Sequence, residues 1–423
     1  MDTVRILQVG DVHFDDAQSA ARDIDASDDG ISQQVLDAIG AHPFQCVVKQ
    51  MVGLFPEVDA VLFCGDLTTY GNLDVYRESV GYLEQTFAIT TEDFWPTQSV
   101  HVVPGNHDVD RTLIDTSDTR DLREKFQPLA QAWSDNSAPI LKPAEIRTST
   151  VRDGTAAATI FSLNSCIGCG EHREQGLSDA VRAEFQHRAD EGDADAAATL
   201  FEQLDAPMFV EDDVASTVQA IRALEDAAVP VLLAHHNLLP QRQPRLQVYT
   251  EMLNAGAVRA RFAGCDRPVL YLHGHIHDDP VEVVEQFHPG EGKLVSVSAP
   301  AISDGFNVLE ITSGHRGFPV GVTITRWRYA GSGDVVANPP IRIPLRRPTD
   351  EGHAATASVL RVLDDLQYTR WSNFLEAFRA VDGDSYTDDD VADAVREAHW
   401  AGLLEVEAYA DQPARWILRR RLP

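Results

Sequence analysis

The sequence has 423 residues, a length that suits one large domain or two to three smaller ones. Its 66 acidic and 35 basic side chains give a net charge of -31 near neutral pH, which opposes non-specific attraction to nucleic acid and to anionic membrane surfaces. With 43% hydrophobic and 24% charged residues, the composition is that of a globular protein and excludes wholesale disorder, collagen-like repeats and coiled coil.

Short apolar, often β-branched runs bounded by polar or glycine-containing turns predict buried strands along the first 330 residues. These runs are 4–9, 58–64, 99–103, 156–163, 229–234 and 268–272, followed without clear intervening helices by 293–298, 306–311 and 320–326. An apolar stripe with helical period predicts helices at 42–55 and 73–87. Alternating strands and helices followed by a run of strands predict an α/β core with a second sheet.

Residues 171–228 have a different composition, because they are acidic, rich in alanine and helical in pattern. We expect a helical insertion there, and two interpretations stay open. It either caps a site or forms a solvated helix at the side of the domain.

The end of the chain is set apart by prolines at 339, 340, 344 and 348, which predict a linker near 341–350. After the linker the pattern indicates three helices and then a strand near 415–419. Thr387 is the expected N-cap of the last helix. This order resembles a winged-helix module, so we expect domains at 1–340 and 350–423.

Five clusters of polar residues follow predicted strands. They are Asp11-Val12-His13, Gly65-Asp66, Gly105-Asn106-His107-Asp108, Ala234-His235-His236-Asn237 and Gly274-His275-Ile276-His277. Because the carboxyl ends of strands form the ligand crevice of open α/β sheets, we expect these clusters to converge. Aspartate, histidine and asparagine suit borderline divalent metals, and their number suits two ions about 3.5–4 Å apart that share one carboxylate.

This set resembles the calcineurin-like metallophosphoesterase superfamily, whose pattern is Asp-x-His, Gly-Asp, Gly-Asn-His-Asp/Glu, His and Gly-His-x-His. All five blocks occur in order between residues 11 and 277. Together with the predicted elements, the resemblance implies a four-layer α/β/β/α sandwich of two mixed sheets flanked by helices. A small C-terminal α+β module completes the expected architecture.

The resemblance also implies a role for each site residue. The first metal would be held by Asp11, His13, Asp66 and His277, and the second by Asp66, Asn106, His235 and His275, with Asp66 bridging. A hydroxide shared by the two ions would attack phosphorus, and the expected metal is manganese, with iron, zinc, cobalt or nickel as alternatives. His107 would contact the phosphate and protonate the leaving oxygen, while Asp108 would orient its imidazole.

Three other histidines have different expected roles. The family pattern places the ligand directly after the strand, which favours His235 over its neighbour His236, and His236 is then expected to line the site. Asn237 stands where the family often has proline. His101 and His273 fall inside predicted strands, so we expect them in the core or behind the metal ligands.

The sequence has five cysteines, and so small and odd a number does not indicate a disulfide framework. It favours a reducing, cytoplasmic location. Cys166-Ile-Gly-Cys169 has redox or zinc-binding spacing, but a second such motif is missing, so we expect an inert pair near the site. Neither a leader nor a run of the ~18–20 apolar residues of a membrane span is apparent, so we expect no membrane partner.

A narrower similarity concerns the substrate. Residues 65–71, together with Asn164-Ser165 and Gln175-Gly176-Leu177, resemble the branch of class III cyclic-nucleotide and glycerophosphodiester phosphodiesterases. This resemblance implies hydrolysis of a phosphodiester that is nucleotide-like or small.

Two alternatives remain. A nuclease would use the C-terminal module, whose basic end 415–421 could touch nucleic acid, although residues 351–423 hold 14 acidic and 8 basic side chains. Such modules also dock protein partners. A metal-binding scaffold without catalytic activity is the other alternative, because the same fold can serve binding alone.

Overall fold

The structure is a computed structural model. It describes residues 2–14, 43–69, 71–88, 99–110, 113, 124–135, 147–169, 187–188, 207–240, 252–278, 280–285, 292–314, 317–331, 333–345, 354–407 and 412–421.

The strands follow one another from the N-terminus. They are β1 (Asp2–Val9), β2 (Ala60–Phe63), β3 (Ser99–Val102), β4 (Arg147–Asp153), β5 (Ala156–Ser162), β6 (Ala228–Leu233), β7 (Val269–His273), β8 (Val281–Glu285), β9 (Lys293–Ser298), β10 (Gly305–Ser313), β11 (Pro319–Tyr329), β12 (Val335–Ala337), β13 (Ile341–Pro344), β14 (Tyr368–Arg370), β15 (Leu404–Glu407) and β16 (Ile417–Arg420). The helices are α1 (Pro43–Leu54), α2 (Leu73–Ala88), α3 (Gln127–Asp135), α4 (Glu211–Arg222), α5 (Ala255–Ala263), α6 (Ala354–Leu366), α7 (Trp371–Asp382) and α8 (Asp388–Trp400).

Two large mixed sheets form the centre of the molecule. Within the described ranges, one sheet has the order β12-β11-β10-β1-β2-β3, with β13 also paired to β11, and the other has the order β4-β5-β6-β7-β9-β8. The strands β1, β2 and β3 are parallel neighbours, as are β5, β6, β7 and β9. Parallel neighbours bring their carboxyl ends to one edge of a sheet, and the polar clusters follow at these ends.

Successive side chains of a strand point to opposite faces of its sheet, so each central strand contributes to both an inner core and an outer core. On β1, Val4 and Ile6 face the second sheet and pack with Ile160 of β5. Leu7 and Val9 point the other way, into a core that includes Phe44 and Met51 of α1. The second sheet has its own outer core against α4 and α5. The fold is therefore two sheets flanked by helices, which confirms the predicted fold class.

Some elements differ from the sequence predictions. The linker expected near 341–350 is wrong for its first four residues, because β13 pairs with β11 there. Its alternating pattern directs Ile341 and Ile343 towards the core between the sheets, and Pro344 is tolerated because the strand ends at that residue. Of the insertion predicted at 171–228, residues 171–186 and 189–206 lie outside the described residues, while α4 is helical as expected.

The C-terminal part adds three helices and a small sheet of order β14-β16-β15 to the described chain. Its core includes Phe374 and Trp416, and Trp400 of α8 lies against Gly321 of β11. The predicted N-cap is confirmed, since Thr387 Oγ1 accepts from the Asp390 amide at 3.2 Å. None of the helices in the described ranges combines the length and apolar character needed to cross a bilayer.

Candidate metal and catalytic site

The loops after β1 and β2 are tied to each other through the backbone of Asp66. The amides of Val12 and His13 both donate to the Asp66 carbonyl oxygen at 2.9 Å. The loop after β7 joins them, because the His275 amide donates to Asp11 Oδ1 at 3.0 Å. Three of the five predicted clusters are thus connected by hydrogen bonds that backbone amides donate.

The carboxylate of Asp66 lies at the centre of the predicted site residues. Its Oδ2 is 3.2 Å from His235 Nε2 and 3.8 Å from His13 Nε2, and its Oδ1 accepts from the His107 amide at 2.9 Å. Burial raises the pKa of Asp66, but the charge and the hydrogen bond of His235 outweigh burial and hold that pKa well below its usual range. Asp66 is therefore a buried carboxylate that favours its ionised form and faces residues of both predicted metal positions.

One side of Asp66 is occupied by two histidines and an amide. Asn106 Oδ1 lies 2.9 Å from His235 Nε2 and 3.2 Å from His275 Nδ1. The rings of His235 and His275 are 5.1 Å apart between centroids. The structure thus brings together the side chains that the sequence assigned to the second metal.

His235 is fully buried, and its Nδ1 donates to the Cys64 carbonyl at 2.8 Å. Burial lowers the pKa of His235, but the Asp66 carboxylate and the hydrogen bond to it raise the pKa to about 10. The negative potential that holds a proton on this ring also attracts a divalent cation. A carbonyl behind the ring is the usual support of a metal-binding histidine, because it leaves Nε2 for the ion.

The other side of Asp66 carries Asp11, His13 and His277, whose ligand atoms all lie within 4.8 Å of one another. Burial raises the pKa of Asp11, although His235 acts in the opposite direction. His13 Nδ1 is buried and has no hydrogen-bond partner among the described residues. The other ring nitrogen, Nε2, lies 3.8 Å from Asp66 Oδ2 and is the one placed to bind a metal beside that carboxylate.

The backbone is strained at these positions. His13, Asp66, His275 and His277 have φ angles of 41°, 51°, 69° and 52°. In the described part of the chain, Gln367 is the one further non-glycine residue with positive φ. Such conformations cost of order 1–3 kcal/mol each and persist where the surroundings enforce them, typically at functional sites. The strain therefore marks four of the seven predicted ligands independently of their chemistry.

Two glycines allow the loops to approach one another. Gly65 has a φ of 97°, and a Cβ there would lie 2.7 Å from the Gly105 amide nitrogen. A Cβ on Gly105 would collide with the backbone and carboxylate of Asp66. Glycine is required at position 65 because the Gly105 backbone and the His235 ring occupy the space of a side chain, and at position 105 because Asp66 occupies it.

The predicted catalytic pair occupies two different environments. His107 is exposed, its Nδ1 is 3.2 Å from the Thr69 carbonyl oxygen, and its ring lies 5.0 Å from that of His13. Asp108 is fully buried and accepts from the amides of Gly105 and Thr68 at 2.9 and 3.1 Å.

The expectation that Asp108 orients the His107 imidazole is therefore a point of difference. The Asp108 carboxylate instead accepts hydrogen bonds from the backbone amides of two loops. The group that contacts the His107 ring is the Thr69 carbonyl. Burial and the nearby Asp66 raise the pKa of Asp108 to about 6. The role of Thr69 could not be predicted from the sequence, because this residue contacts His107 through its backbone carbonyl.

Of the three other histidines, His101 and His273 bond to serine hydroxyls, whereas His236 lies directly beside the clustered ligands. His101 Nδ1 and Nε2 are 2.8 and 2.6 Å from the hydroxyls of Ser162 and Ser149. His273 Nε2 is 3.2 Å from Ser296 Oγ, and burial lowers its pKa to about 4. His236 is buried with its Nδ1 3.0 Å from Ser165 Oγ, and its ring is 4.4 Å from that of His275.

Comparison with known proteins gives a family and several similar folds. The family model of calcineurin-like phosphoesterases matches residues 4–279. A search of curated proteins finds no match. Among solved structures, a dimetal phosphatase from Danio rerio is 14% identical with a TM-score of 0.44, covering 81% of this chain and 99% of its own.

Two further structures are similar at comparable levels. The phosphopantetheinyl hydrolase of Mycobacterium tuberculosis is 17% identical with a TM-score of 0.34, covering 70% of this chain and 89% of its own. A purple acid phosphatase from yellow lupin seeds is 13% identical with a TM-score of 0.40, covering 81% of this chain and 54% of its own.

Proposed function

The chain belongs to the calcineurin-like phosphoesterase family, and from this premise we propose that it hydrolyses phosphodiesters, nucleotide-like or small, with two divalent metal ions. The observation that carries the proposal is the gathering of six ligand-type side chains, from the loops after β1, β3, β6 and β7, around the buried carboxylate of Asp66. Cofactor-free chemistry would not need two sets of metal-binding donors on opposite sides of one carboxylate.

The two sets would each hold one ion. Asp11, His13 and His277 would bind the first, and Asn106, His235 and His275 the second, with Asp66 shared between them. When bound, such ions activate water at neutral pH and neutralise charge on phosphoryl oxygens. The mixed oxygen and nitrogen donors suit manganese, iron, zinc, cobalt and nickel, and manganese is our first choice.

His107 would act as the general acid. Its Nδ1–H can donate to the Thr69 carbonyl, a bond that fixes the ring and leaves Nε2 to deliver a proton to the leaving oxygen. Its amide donates to Asp66 Oδ1 at 2.9 Å, so the acid and the shared carboxylate keep a fixed relation. Asp108 would support the site indirectly, because its carboxylate joins the loops after β2 and β3.

The choice of a diester rests on the similarity of residues 65–71 to diester-cleaving members of the superfamily. This segment contributes Asp66, the Thr68 amide that binds Asp108, and the Thr69 carbonyl. Residues that resemble the diesterases therefore also build the site.

Two further features belong to the proposal. We propose that residues 350–423 form a winged-helix-like module, supported by the order helix, strand, helix, helix, strand, strand from α6 to β16. We also propose a cytoplasmic location, supported by five cysteines that form no disulfide, all of them within the described ranges.

The test is an activity screen on chelated protein reloaded with manganese, iron, zinc, cobalt or nickel. We expect faster hydrolysis of bis-p-nitrophenyl phosphate than of p-nitrophenyl phosphate, and loss of both activities in Asp66→Asn. The control Asp212→Asn changes an exposed carboxylate on α4 and should match the parent protein.

Folded, metal-loaded protein that cleaves neither compound would contradict the proposal. A preference for the monoester would leave the family chemistry in place and refute the diester assignment. Faster cleavage of labelled oligonucleotides than of small diesters would favour the nuclease alternative.

A further inference from the structure

Three buried side chains that the proposed reaction does not use meet beside the candidate metal site. Cys166, Cys169 and His236 are all at most 1% exposed, and one donor atom of each lies within 4.8 Å of the others. Cys166 Sγ is 3.7 Å from His236 Nδ1. The cluster joins the loop after β5 to the loop after β6.

The Cys-x-x-Cys segment is held in a tight turn. The Cys169 amide donates to the Cys166 carbonyl at 2.9 Å, which brings the two thiols to one side. The buried Lys125 ammonium donates to the carbonyls of Ile167 and Cys169 at 2.6 and 2.7 Å. This lysine fixes the turn. Burial and the neighbouring Cys169 raise the pKa of the Cys166 thiol well above its usual range, so a bound metal ion would have to displace the thiol proton.

We propose that Cys166, Cys169 and His236 form a third metal site, which binds Zn²⁺. Tetrahedral zinc with sulfur at about 2.3 Å and nitrogen at about 2.0–2.1 Å separates these ligand atoms by roughly 3.6 Å. The separation of 3.7 Å between Cys166 Sγ and His236 Nδ1 matches that value. Zinc would replace the Ser165 hydroxyl as the partner of Nδ1 and the Pro104 carbonyl as the partner of the thiol. A disulfide between the cysteines would make no use of the histidine.

The charge balance of such a site suits its burial. Binding releases one proton from each thiol to solvent, and a dication with two thiolates and a neutral imidazole has no net charge. Burying a neutral group of this kind avoids the large cost of an unpaired ion. Among the described residues, the cluster has no fourth histidine, cysteine or carboxylate, so water would complete the coordination.

The third site would support the candidate catalytic site. The ring of His236 lies 4.4 Å from that of His275 and 4.7 Å from that of His235. A metal that fixes His236 would therefore hold the surface against which both histidines pack. Its role would be to position these ligands, and it would not touch the substrate.

Cobalt binding to the full-length protein tests the proposal. Protein stripped by a chelator under reducing conditions is titrated with Co²⁺, and absorption by thiolate-to-cobalt charge transfer is recorded with metal content. We expect this absorption and three bound equivalents. The candidate catalytic positions contain no cysteine, so the thiolate signal reports the third site alone, whatever the outcome for hydrolysis.

Two substitutions and a matched control complete the experiment. Cys166→Ser and Cys169→Ser should each abolish the absorption and reduce bound metal from three equivalents to two. Cys265→Ser removes a buried cysteine elsewhere, beside α5, and should change neither.

Parent protein that binds cobalt without thiolate absorption would overturn the proposal, and this measurement does not depend on the folding of any variant. Zinc-exposed protein whose mass shows a disulfide, with the third equivalent missing, would overturn it as well. Retention of the absorption in folded Cys166→Ser would have the same consequence.

Discussion

The buried side chain of His101 should make the folded protein less stable in acid. It lies on β3 of one sheet, and its two ring nitrogens are 2.8 and 2.6 Å from the hydroxyls of Ser162 on β5 and Ser149 on β4 of the other sheet. Burial and then the charge of Arg147 lower the pKa of His101 to about 3. The ring is thus neutral in the folded protein over the whole range in which an unfolded histidine becomes protonated.

The sign and size of the effect follow from linkage. Below the unfolded pKa of about 6.5 the unfolded chain binds a proton that the folded chain does not, so the contribution of His101 is fully present above that pH and is lost as pH falls towards 3. Between pH 7 and pH 5 the loss is about 2 kcal/mol.

The assay is urea unfolding at pH 7 and pH 5 for the parent protein and for His101→Gln. The variant lacks the titrating group, so its free energy of unfolding should fall between the two pH values by about 2 kcal/mol less than that of the parent. His187→Gln removes an exposed histidine and should follow the parent at both pH values.

Parallel losses of stability in the parent and His101→Gln would refute the reasoning. The comparison uses differences between pH values, so the hydrogen bonds that the variant loses at both pH values cancel.

Three further predictions concern the site. His107→Ala should slow hydrolysis by about 10²–10⁴-fold, the range of a general acid, while metal content by mass spectrometry stays unchanged; loss of metal would assign His107 a different role. Asp66→Asn should reduce bound metal at both candidate catalytic positions, whereas a loss confined to one would refute its shared role. Gly105→Ala should likewise reduce metal content, because its Cβ would displace Asp66, and Gly53→Ala, with open space at its Cβ, is the control.

Much of the fold could be predicted from the sequence because its central strands are continuous apolar runs. The run at 293–298 coincides with β9 (Lys293–Ser298). By contrast, β4 (Arg147–Asp153) is polar and half exposed, and it is a strand because its backbone pairs with β5. This pairing is a local hairpin in which Asp153 lies opposite Ala156, and the strand is not predicted because β4 has no continuous apolar run.

The same division applies to the site. The candidate ligands could be named because each follows a strand and carries a metal-binding group. The hydrogen-bond partner of Asp108 could not be named from the sequence, because Thr68 contacts it through a backbone amide from a loop 40 residues away. The proximity of Cys166 and His236, 70 residues apart, is likewise set by how two loops meet.

The most direct test of the central claim is anomalous diffraction from crystals of the full-length protein grown with manganese. We expect two manganese peaks that both contact Asp66, one beside Asp11, His13 and His277 and the other beside Asn106, His235 and His275. A single peak, or two peaks of which only one contacts Asp66, would contradict the shared-carboxylate site on which the proposed hydrolysis depends.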